Sequence, residues 1–179
     1  LSIAGHDVRI IATDAATYFF DVDDFRDIVT LDNDEWPGEA YTRGDEVRHI
    51  ELRKCADVFL IAPLDANTLA KLATGLCDNA LTCVWRAWEP RKRVVLAPAM
   101  NTLMWQHTFT RRHLRSIAAD FGAAHIPGHL DEDEMIPLIN ERSATLKVVP
   151  PISKVLACGD MGIGAMAEVA TIVAMASPS

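Results

Sequence analysis

The chain has 179 residues, half of them apolar and 23% charged, with a formal net charge of -8. That composition suits one compact domain with a real core. An acidic surface whose tightest basic runs are Arg91-Lys92-Arg93 and Arg111-Arg112 argues against a phosphate-backbone binder, and no apolar run is long enough to cross a membrane. The four cysteines, Cys55, Cys77, Cys83 and Cys158, form no Cys-x-x-Cys pair. Zinc and redox motifs are therefore not signalled, and a reducing, cytoplasmic setting is expected, with no metal, nucleic acid or membrane as partner.

Leu1 to His6 reads as the tail of a helix stopped at Gly5, and Val8 to Thr13 as a buried strand. Asp14 to Phe20 suits a helix start with Asp14 as N-cap. Asp21 to Gly44 is acidic and loop-rich, with a turn at Trp36-Pro37-Gly38. His49 to Ala56 is predicted helical, with Ile50, Leu52 and Cys55 facing inward. Val58 to Ala62, ending at Pro63, reads as a parallel strand buried on both sides. Ala66 to Leu76 and Asn79 to Trp88 are helical by period. Val94 to Ala97, ending at Pro98, reads as a third buried strand, and Asn101 to Phe121 as mostly helix. Residues 122–151 are less regular, and the run Asp131-Glu132-Asp133-Glu134 reads as a solvated loop. Three glycines between Cys158 and Gly164 suggest a flexible flap, and Ala165 to Ala176 a closing helix. Cys55, Cys77 and Cys83 lie in apolar helical stretches and read as core.

Strand and helix alternate with short links, which means an α/β fold with a parallel sheet. Ligands of such sheets sit outside the carboxyl ends of the strands. Three segments occupy that position: Thr13-Asp14-Ala15, the run from Pro63 to Thr68, and Pro98-Ala99-Met100-Asn101. Their small, hydroxyl and amide residues suit close approach by a planar or phosphorylated ligand.

Six blocks occur in a recognisable order: His49-Ile50-Glu51-Leu52-Arg53, the stretch from Ala62 to Leu69, Cys77-Asp78-Asn79, Arg86-Ala87-Trp88, the stretch from Pro98 to Trp105, and Cys158 to Glu168. Together they resemble the homo-oligomeric flavin-containing cysteine decarboxylases. The resemblance implies a Rossmann-like flavoprotein domain over residues 1–179, a parallel sheet with helices on both faces, and FMN as cofactor. It implies a homotrimer with active sites at subunit interfaces. Within the family the pattern is nearest to the enzymes that act on 4'-phospho-N-pantothenoylcysteine in coenzyme A synthesis. In that reaction the flavin oxidises the cysteine thiol to a thioaldehyde, carbon dioxide leaves, and hydride return gives 4'-phosphopantetheine. The cofactor does the hard chemistry and the protein orients it.

Residue roles carry over by position. His49 matches the family's essential histidine, although a lone histidine at a helix start is more often structural. Asn101 matches the substrate-clamping asparagine, a neutral donor for a carboxylate, and also suits an N-cap. Met104 is expected to line the substrate pocket, although a methionine at this spacing is more often core. Cys158 matches the flap cysteine that protonates the enethiolate; otherwise it is a small buried hydrophobe. Thr13, Asp65, Ala66, Asn67, Thr68 and Ala99 are the expected FMN-binding residues, with helix capping as the plainer reading of Asn67 and Thr68.

Two departures from the family pattern stand out. No Gly-Ser-Val-Ala-type turn is present at the front, so the first strand is expected to be missing and the domain N-terminally truncated. Residues 122–151 read as an insertion. The alternatives to the decarboxylase are a peptidyl-cysteine decarboxylase of the same family, a non-catalytic, phosphatase-inhibitor-like regulatory subunit, and an inactive fragment.

Overall fold

The structure, a computed structural model, describes residues 1, 5–35, 40, 42–123, 125–155 and 161–177, apart from the side chains of Val155 and Met161. In chain order the strands are β1 (Ile10–Ala12), β2 (Val29–Leu31), β3 (Val58–Leu64), β4 (Arg93–Pro98), β5 (Leu146–Val148), β6 (Ile152–Val155) and β7 (Met161–Ala165). The α-helices are α1 (Arg48–Cys55), α2 (Ala66–Thr74), α3 (Ala80–Ala87), α4 (Thr102–Trp105), α5 (Thr108–Asp120), α6 (Glu132–Arg142) and α7 (Val169–Ala176). The chain divides into two compact units, Leu1–Ala56 with Gly75–Glu89 and Asp57–Thr74 with Pro90–Ser179.

In the first unit β1 and β2 pair in parallel, Ile10 opposite Val29 and Ala12 opposite Leu31. Gly5 is left-handed (φ 83°), and the His6 N–H donates to the Leu1 carbonyl at 3.3 Å. Helix α3 begins on a capping box. The Asn79 side chain accepts from the Thr82 N–H, and the Thr82 hydroxyl accepts from the Asn79 N–H. Its Ala80 N–H donates to Asp32 at 3.1 Å, which ties the helix to the 3-10 turn Asp32–Glu35. Helix α1 packs on α3.

The second unit holds a three-stranded parallel sheet with β4 in the middle. Val94, Val95, Leu96 and Ala97 are all fully buried, as a central strand covered on both faces must be. Helix α7 packs against β4, α6 against β5, and α2 against α5, so the sheet is flanked by helices. Leu64, Leu69, Leu114, Ile117, Met135 and Ile139 complete the core. A separate antiparallel hairpin joins β6 to β7.

Five expectations are corrected. Asp14 caps no helix: the segment is a 3-10 turn, Ala16–Tyr18, and it is the Thr13 hydroxyl that accepts from the Ala16 N–H, at 3.3 Å. The loop-rich stretch after it contains β2, because Val29 and Leu31 find partners on β1. Acidic residues 131–134 are not a loop. Asp131 and Glu134 form a capping box, and three carboxylates in the first turn favour the positive end of the helix dipole, so α6 forms despite Pro137. Cys55 and Cys77 are exposed and Cys83 is half-buried: α1 buries none of its residues, and Cys77 lies in the loop between α2 and α3 rather than in a helix. Residues Met161–Ala165 of the expected flap form a strand, because Gly162 and Gly164 let it lie close to the backbone after β4. The turn at Trp36-Pro37-Gly38 and Cys158 lie outside the described residues.

Candidate active site

The expected site residues divide between the two units. In the first, Thr13 follows β1 directly, at its carboxyl end and half-buried. His49 is the second residue of α1. Its position is fixed by Glu35, fourteen residues earlier, whose side chain is only 3% exposed. One carboxylate oxygen of Glu35 accepts from the His49 backbone N–H at 3.2 Å, and the other contacts His49 Nδ1. Val47, at the N-cap of α1, has no capping side chain, so Glu35 also caps the helix from a distance. A carboxylate behind an imidazole fixes its orientation and directs Nε2 to the reacting partner.

Glu35, which holds His49 in place, is a residue that sequence reasoning missed. It sits in an acidic run where nothing marks one carboxylate above the others, and its burial appears only once α1 packs. Next to this pair, the Cys77 and Cys83 sulfurs lie 3.2 Å apart. Burial chiefly, then the hydrogen bond to Cys77 and the negative charges of Cys77, Glu35 and Asp78, pushes the Cys83 thiol up to about 12. Cys83 therefore stays protonated at neutral pH. A cleft of about 420 Å³ in this unit is lined by Arg9, Arg26 and Arg48 among others, and none of the expected site residues lines it.

In the second unit β3 and β4 carry the remaining residues to one end of the sheet. The Ala99 N–H donates to the Leu64 carbonyl at 2.9 Å, which holds the two strand ends side by side. Ala62 and Pro63 are exposed although they lie within a strand. The Asp65 carboxylate accepts from the Thr68 N–H at 2.9 Å and so caps α2. Asn67 is exposed, and Ala66, Thr68 and Ala99 are half-buried. The result is a shelf of small residues with amide and hydroxyl groups at its edge, open at the carboxyl ends of parallel strands. Asn101 caps α4 through its side-chain oxygen, which accepts from the Leu103 N–H at 2.9 Å. Met104 and Leu103 are exposed, 54% and 78%, so Met104 is not core.

The hairpin is stitched to this end of the sheet. The Met100 N–H donates to the Gly164 carbonyl at 2.9 Å. Gly164 has φ 137°, and a Cβ there would collide with the Met100 carbonyl; one on Gly162 would collide with the Thr102 hydroxyl.

A family profile described as Flavoprotein matches residues 1–177. The chain belongs to the Flavoprotein family. It is 48% identical over 168 residues to phosphopantothenoylcysteine decarboxylase of Oryza sativa subsp. japonica, a match that covers 93% of this chain and 65% of that one. It is 43% identical over 175 residues to the Mus musculus protein of the same name, covering 97% and 73%. The chain thus spans about two thirds of the length of these relatives. Among solved structures, it is similar to a cysteine-to-serine PPC decarboxylase mutant complexed with pantothenoylaminoethenethiol, at 44% identity and TM-score 0.75, over 97% of this chain and 82% of that one. The FMN binding protein AtHal3 matches at 44% identity and TM-score 0.71, over 97% and 81%. The α/β architecture with a parallel sheet flanked by helices is thus that of a flavoprotein.

Proposed function

We propose that this flavoprotein is a carboxy-lyase that converts 4'-phospho-N-pantothenoylcysteine to 4'-phosphopantetheine with FMN, a step of coenzyme A synthesis. What carries the reading is the 48% identity, over 93% of the chain, to a protein named for that activity. Bound FMN supplies the two-electron chemistry at the cysteine thiol. The shelf of Ala66, Asn67, Thr68 and Ala99 fits a flavin: it is apolar, open, and bounded by groups that hydrogen-bond. Asp65 shapes the shelf by capping α2, and Thr13 offers a hydroxyl at the end of β1.

The chain's own residues then divide the work. His49, with Nδ1 held by Glu35, presents Nε2 to the substrate and moves its proton there. Asn101 binds the substrate carboxylate through its amide Nδ2. A neutral donor orients the carboxylate without the ion pair that would resist loss of carbon dioxide. The cap engages Oδ1, the other end of the same amide. Met104 covers the substrate and excludes water. Cys158 returns a proton to the enethiolate product. The working unit is a cytoplasmic homotrimer with active sites at its subunit interfaces.

The test begins with the visible absorption of the purified chain after FMN is added and the excess removed, followed by a decarboxylation assay. A retained, perturbed flavin band and release of carbon dioxide are expected. His49→Asn should keep the flavin and lose the release. Flavin retention without decarboxylation of this substrate by the unmutated chain would overturn the reading.

A further inference from the structure

We propose that Cys77, Cys83, His49 and Glu35 form a binding site for a thiophilic divalent cation such as Zn²⁺, and that occupancy of this site switches His49 off. One donor atom each from Glu35, His49 and Cys83 lie within 4.8 Å of one another. The Cys77 sulfur lies 3.2 Å from that of Cys83 but outside this group of three, and it joins as a fourth donor once its side chain turns inward. Ligand atoms around a tetrahedral zinc ion are about 3.3–3.8 Å apart, given Zn–N and Zn–S bonds of about 2.0–2.3 Å. Closing the cluster on an ion therefore requires these side chains, that of Cys77 above all, to rotate inward.

The donors come from four places: the 3-10 turn that ends at Glu35, the first turn of α1, the loop before α3 with Cys77, and α3 itself with Cys83. The Asn79–Thr82 capping box fixes the backbone between the two cysteines. Glu35 is buried and His49 is 23% exposed, so the cluster is held firmly yet reachable. Two sulfurs, an imidazole and a carboxylate select zinc, cobalt or cadmium over magnesium or calcium. Glu35 and Asp78 add negative charge beside Cys83. Binding replaces the protons of both thiols, which pass to solvent, and substitutes the cation for the contact between Glu35 and His49 Nδ1. No electrons move. The inhibitory consequence rests on the role proposed for His49; the binding itself does not.

The test adds Co²⁺ to the full chain, with and without FMN, and follows the thiolate-to-cobalt charge-transfer band. Saturation at one ion per chain is expected, with loss of the band in Cys83→Ser and in Cys77→Ser, and no change in Cys55→Ser. Because Cys77 is exposed, its variant keeps the fold even if that of Cys83 does not. In the decarboxylase assay, Zn²⁺ should inhibit, a chelator should restore activity, and Cys77→Ser should stay active with sensitivity reduced at least about tenfold, the weight of one lost ligand. Absence of the band, a band that follows Cys55, or one unchanged by Cys77→Ser would overturn the site. A chain that binds cobalt as described but decarboxylates nothing upholds the site and removes the role of His49 instead.

Discussion

Asn101 caps α4 and, on the proposed function, also holds the substrate carboxylate; substitution separates the two. Asp caps a helix as well as Asn does, whereas Ala forfeits about 1 kcal/mol. Asn101→Asp is therefore expected to melt near the parent temperature yet lose decarboxylation, because it sets a negative charge against the substrate carboxylate. Asn101→Ala is expected to lose both. Thermal melts beside activity assays check this, and an active Asn101→Asp enzyme would remove the clamp. A second prediction concerns His113 on α5. Desolvation first, then Arg112, holds it below its ordinary value of 6.5. The folded chain binds this proton less readily than the unfolded one. Its contribution to stability is therefore complete above pH 6.5 and is lost as pH falls through the lower, folded value. Denaturation midpoints measured across that range should slope less in His113→Gln. At this scale the sequence singled out His49 and Asn101 as candidates through the blocks around them. It did not reveal Glu35, Cys77 and Cys83 as neighbours, because tertiary packing brings them together and their spacing follows no ligand motif.

Helix α6 shows how an element escapes pattern reading. Four acids in a row resemble a solvated loop, and Pro137 removes a helical hydrogen bond. The Asp-x-x-Glu spacing of a capping box was nonetheless present at Asp131 and Glu134, and the apolar residues Met135, Ile136 and Ile139 that follow are all buried. Asp131→Ala should cost about 1 kcal/mol, read as a lower denaturant midpoint, while Asp133→Asn at the neighbouring exposed position, which acts through the helix dipole alone, should lower the midpoint by less. A strand as short as β2 was illegible for a different reason. Three residues carry no period, and only the partner on β1 makes Val29–Leu31 a strand. By contrast, β4 was plain from its unbroken apolar run, since burial on both faces demands one.

Across the whole molecule, apolar burial is uneven. Among the described residues, the large, fully buried side chains belong mainly to the second unit, from Leu64 and Leu69 through β4 to Ile139 and Leu146. The first unit contributes Val84 to that set, and its other buried apolar residues are Ala12, Ala80, Leu81 and Trp88. Stability is not uniform where burial is not. Hydrogen exchange should therefore find the amides of β4 the slowest and those of β1 and β2 markedly faster. Equal protection in both would contradict this account. The alternation of strand and helix was enough to identify the fold class. The division of the chain into two units was not legible, because it depends on which segments pack together.

The bond between Met100 and Gly164 has a consequence for how such a protein can change over time. Two stretches more than sixty positions apart in sequence are obliged to vary together. A side chain larger than hydrogen at 164 is admissible only in a lineage whose backbone at Met100 has already drawn back. Because Asn101 is the very next residue, that retreat would displace the asparagine too. Drift in the hairpin is thus constrained by a residue it never touches through its own side chains.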